Sequence, residues 1–97
     1  MDELAKLQAW YHAQCNGDWE HAWGVEIGTL DNPGWRLRIT LTDTRLAGVP
    51  YDRRELATSD LEWLHCWVEG EVFHAAGGPQ MLRAMLQEFF AWAEKHQ

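Results

Sequence analysis

Among its 97 residues the chain has only two cysteines, Cys15 and Cys66, and a single serine, Ser59. Two cysteines cannot build a disulfide scaffold and suit a reducing compartment. Ser59 lies in a polar turn without a nucleophile elbow, which removes the serine hydrolases. A Walker loop and a dinucleotide fingerprint are both missing. No apolar run approaches the ~20 residues that cross a bilayer. Cations are scarce too: eight Lys plus Arg stand against fifteen Asp plus Glu, a net charge of −7. That balance disfavours nucleic acid or an anionic membrane as partner, because clustered cations drive phosphate binding. The acidic opening Met1-Asp2-Glu3-Leu4 lacks the basic start of a secretory signal, so a cytoplasmic location is expected.

What is plentiful is apolar and aromatic. Hydrophobic residues make up 46% of the chain, enough for a folded core and too many for a disordered tail. The length fits one domain over residues 1–97. Seven tryptophans are more than so small a domain readily buries, which suggests either core supplementation or an aromatic binding surface.

Periodicity divides the chain. Leu4, Leu7, Tyr11 and Cys15 recur at helical spacing over residues 3–15, with Asn16-Gly17 as a stop. Beyond a loop at 18–21, Trp23, Val25, Ile27 and Thr29 alternate as in a half-buried strand. Asp31-Asn32-Pro33-Gly34 is a turn signal. Trp35, Leu37, Ile39 and Leu41 then alternate with a polar face carrying Arg36 and Arg38, which completes a hairpin. Residues 51–56 suggest a short edge strand. A second hairpin is expected from 63–68 and 71–75 around Glu69-Gly70, setting Cys66 opposite Phe73 and His65 opposite His74. Gly77-Gly78-Pro79 opens a last helix with Pro79 at its first position, and Leu82, Met85, Leu86, Phe89, Trp92 and Ala93 form its apolar stripe. The expected fold is α+β: an antiparallel sheet of four or five strands, with N- and C-terminal helices packed on one face.

Few residues cluster as reactive chemistry would require. Cys15, His21, His65, Cys66 and His74 are acceptable zinc ligands, but no paired spacing joins them; no metal and no cofactor is expected. Gly77-Gly78-Pro79-Gln80 could aim amides at an anion, although such a sequence is more often only a turn. Asp18, Glu20 and His21 place two carboxylates and an imidazole beside Trp19, which allows a small enzyme or ligand-binding domain as the alternative reading. A Trp-rich symmetric homodimer is a third. Charge is unevenly spread, with five Arg and two Asp between residues 36 and 54 and an acidic excess on both sides. Such opposed faces favour steering toward a protein partner.

Several motifs in combination resemble the immunity protein 53 family. They are Leu7-x-x-Trp10-Tyr11, Gln14-Cys15-x-Gly17-Asp18-Trp19-Glu20-His21 and Thr29-Leu30-Asp31-Asn32-Pro33-Gly34-Trp35, followed by Cys66, Phe73, Gly77-Gly78-Pro79, Leu82, Phe89 and Trp92. The resemblance implies a non-catalytic protein of a bacterial polymorphic toxin system that binds and neutralises a cognate toxin domain. Asp18, Trp19, Glu20 and His21 are the first interface candidates, with Glu62, Glu69 and Glu71 as secondary candidates. A monomer or weak homodimer is expected.

Overall fold

The computed structural model describes residues 2–96. Asp2 starts the first helix by accepting the Ala5 amide at 2.7 Å, the usual use of a short acid at a helix N-terminus. Helix α1 covers Glu3–Gln14, and a single turn, α2, covers Trp19–Ala22. Five strands follow: β1 (Val25–Leu30), β2 (Gly34–Thr40), β3 (Arg54–Ala57), β4 (Trp63–Glu69) and β5 (Val72–Gly77). Helix α3 spans Leu82–Lys95. The strands form one antiparallel sheet in the order β1-β2-β5-β4-β3, giving the expected α+β architecture at the larger strand count.

Strand alternation decides which face is dry. Leu37, Ile39, Phe73, Ala75, Leu64 and Cys66 point to the helix side and are buried. Helix α3 covers them with Met85, Leu86, Phe89, Phe90, Trp92 and Ala93. Phe89 meets Phe73 edge-on at 5.1 Å and Trp10 of α1 at 5.4 Å, so one ring joins both helices to the sheet. Burial of each large side chain there contributes about 1.5–3 kcal/mol.

Four local expectations are corrected. The stripe of α1 is Leu7 and Trp10, whereas Leu4 and Tyr11 are 62% and 40% exposed. The larger indole of Trp10 takes the position against α3, which turns Tyr11 outward. Residues 19–22 are helical rather than loop. The second hairpin turns at Gly70-Glu71, both with φ 59°, so the register shifts by two. A two-residue turn matching the sheet twist requires positive φ at both central positions, and Gly70 supplies the first without strain. Cys66 therefore faces Ala75, His65 faces Ala76, and His74 faces Trp67, which dissolves the His65–His74 pair. Finally, α3 starts at Leu82, not Pro79. The Gly78 amide donates to the Trp63 carbonyl at 3.1 Å, holding this segment to β4. A Cβ on Gly78 would collide with the Leu61 carbonyl, so only glycine fits there.

Candidate partner-binding surfaces

The 18–21 segment is built from its own polar groups. Asn16 Oδ1 accepts the amides of Asp18 and Trp19, both at 2.9 Å, and so holds the start of α2, whereas the Asp18 side chain makes no cap bond. Glu20 reaches back to accept the Asn16 and Gly17 amides at 2.9 and 2.8 Å. Hydrogen bonding from its own backbone amide leads the causes that hold its carboxyl below the ordinary carboxylate range, against a partial desolvation penalty. Trp19 is 2% exposed and sits edge-on to Trp10 and Tyr11 at 6.0 and 6.1 Å. Of the four candidates, then, Trp19 fills the core and Glu20 closes the loop, while Asp18 and His21 face solvent.

Thr42 joins this segment to the second hairpin. The Trp19 indole N–H donates to the Thr42 carbonyl at 2.9 Å, and the Thr42 hydroxyl donates to a Glu71 carboxylate oxygen at 3.3 Å. The Leu41 amide also donates to the Glu71 carbonyl at 2.8 Å. Two candidate sets separated by some fifty residues in sequence thus share one end of the sheet. Asp18, Asp43, Glu69 and Glu71 are exposed there, with Tyr11 and Trp23 as partly open aromatics beside them. Glu62 is exposed at the other end of β4 and does not join the group.

A different surface escaped the sequence reading. On the sheet face away from the helices, Glu26, Arg38, His74 and Trp67 lie opposite one another across β1, β2, β5 and β4. Arg38 pairs with Glu26 at 3.4 Å, His74 stacks on Trp67 at 5.1 Å, and Arg53 lies over the same indole at 5.5 Å. The arginine alternation in β2 pointed to this face, but the shifted hairpin register hid the row.

These surfaces offer charge and shape to a binding partner. Among the described residues, no three His, Cys, Asp or Glu side chains gather as a metal site would require. A cleft of about 300 Å³ lies near α3, lined in part by Tyr51, Arg54, Glu88 and Trp92, with Arg54 and Glu88 paired at 2.8 Å. Beneath it, burial pushes the Cys66 thiol up to about 12, which suppresses the nucleophilic thiolate at neutral pH.

The fold and surfaces define a small α+β domain with one sheet face closed by helices, the other open, and a carboxylate-rich end. The chain belongs to the Immunity protein 53 family, whose model matches residues 4–94, nearly the whole chain. No curated protein and no solved structure matches it.

Proposed function

We propose that this chain is a cytoplasmic immunity protein of a bacterial polymorphic toxin system. It neutralises a cognate toxin domain by stoichiometric occlusion, without catalysis and without a cofactor. Family membership carries this reading. The proposed contact surface is the end of the sheet around Thr42, where Asp18, His21, Glu69 and Glu71 reach solvent. Carboxylates held on a hydrogen-bonded scaffold steer a cationic partner and set its register, while Tyr11 and Trp23 offer aromatic contact area.

Glu62 lies apart and serves as an internal control. The test pairs the protein with the toxin domain encoded beside it and measures both survival and complex formation. Rescue accompanied by a one-to-one complex supports occlusion. Rescue without a complex contradicts it.

A further inference from the structure

The two edges of the sheet differ in their protection. Strand β3 has four residues and carries Arg54 and Glu55, with Arg53 just before them. Arg53 pairs with Glu55 at 3.0 Å and Arg54 with Glu88 at 2.8 Å. Short, charged edges of this kind resist pairing with another chain. Strand β1 is the reverse. Its sequence, Val-Glu-Ile-Gly-Thr-Leu, has six residues, no proline and one charge, and that charge is already engaged by Arg38.

Apolar groups collect beside this unprotected edge. Ile27 is 43% exposed although it points to the helix side, because β1 lies outside the cover of α3. With Leu4, Leu7, Leu82 and Leu86 it forms the apolar part of a groove of about 350 Å³, which Asp2 and the Glu3–Arg83 ion pair also border.

We infer that the free edge of β1 pairs antiparallel with β1 of a second copy, joining two sheets into one. Charge complementarity selects this occupant. Pairing centred on Ile27 sets Ile27 against Ile27 of the second copy, Val25 against its Thr29, and Glu26 against its Gly28. Directly opposed residues share a face, so the helix-covered sides stay together and the two grooves meet across the dyad.

Gly28 is covered on the open face by Arg36, whose guanidinium would stand 3.1 Å from any Cβ placed there. Of the three arginines on that face, Arg36 has no carboxylate partner among the described residues, whereas Arg38 and Arg53 each have one. The register therefore brings Glu26 of each copy, still beside its own Arg38, to Arg36 of the other as a second cation, twice by symmetry. Along the paired strands no like charges are opposed, because Glu26 is the single charge of β1.

Sedimentation equilibrium of the free protein tests this without any toxin, so its failure is separate from failure of the immunity reading. Over about 1–300 µM, the mass should rise from one chain toward two. Ile27→Lys should hold the single-chain mass throughout. Glu26→Arg and Arg36→Glu should each raise the dissociation constant at least about tenfold, and the double variant should restore it. Circular dichroism and the melting temperature verify that each variant is folded. A single-chain mass at every concentration overturns the proposal, as does a dimer indifferent to Ile27→Lys. A protein that is monomeric alone, but loses toxin binding in Ile27→Lys, would assign the edge to the toxin instead.

Discussion

Replacing Trp19 by alanine separates a core role from an interface role. The indole is 2% exposed, touches Trp10 and Tyr11 edge-on, and donates to the Thr42 carbonyl. Truncating a buried tryptophan costs about 3–5 kcal/mol in lost burial and cavity. Phenylalanine at the same position keeps most of the apolar contact and loses the hydrogen bond, for about 1–2 kcal/mol. A domain of this size has only about 5–15 kcal/mol in total, so Trp19→Ala removes a large share. Urea denaturation followed by far-UV circular dichroism avoids the overlapping signals of the seven indoles. The expected order of midpoints is wild type, Trp19→Phe, Trp19→Ala, with the slope unchanged. A Trp19→Ala midpoint indistinguishable from wild type would refute the burial argument. Weakened toxin binding by a Trp19→Phe variant of full stability would make the indole a contact after all.

Glu20→Gln should destabilise the loop and flatten acid sensitivity. The folded carboxyl lies below its reference value of 4.5, so its contribution is complete above that pH and lost as pH falls through the lower folded value. Urea midpoints of both proteins between about pH 3 and 6 would show the difference narrowing in acid. Cys66 is buried with its thiol pushed up to about 12, so a thiol reagent at neutral pH should reach it only after unfolding; prompt labelling of both cysteines would contradict the core assignment. Gly78→Ala forces a Cβ into the Leu61 carbonyl and should cost at least about 1–3 kcal/mol, measured as a lowered denaturation midpoint.

Much of the fold was legible because apolar alternation in Leu37, Ile39 and Leu41 and helical spacing in Met85, Phe89 and Trp92 report burial directly. The errors arose where a competing choice was steric. Both Leu7-Tyr11 and Leu7-Trp10 satisfy helical spacing, and only packing against Phe89 selects the second. Glu69-Gly70 and Gly70-Glu71 are equally plausible turns until the flanking strands fix the register, and that choice decides whether His74 meets His65 or Trp67. The surface candidates were legible as charges but not as a group. Thr42, which ties Trp19 to Glu71, carries no signal in its residue type. Edge strands are hard to read for a related reason: Ile27 alternates like a buried residue, but which strand lies outermost depends on sheet order.

Titration calorimetry with the purified cognate toxin domain, repeated across salt concentrations, tests the central claim most directly. Wild-type protein should bind one to one, and affinity should fall as salt rises. The Asp18→Asn, Glu69→Gln, Glu71→Gln triple variant should bind more weakly with a shallower salt dependence, while Glu62→Gln should behave as wild type. A folded triple variant with unchanged affinity and unchanged salt dependence would show that the acidic end is not where the toxin binds. No binding by wild-type protein that nevertheless protects cells would contradict neutralisation by occlusion itself.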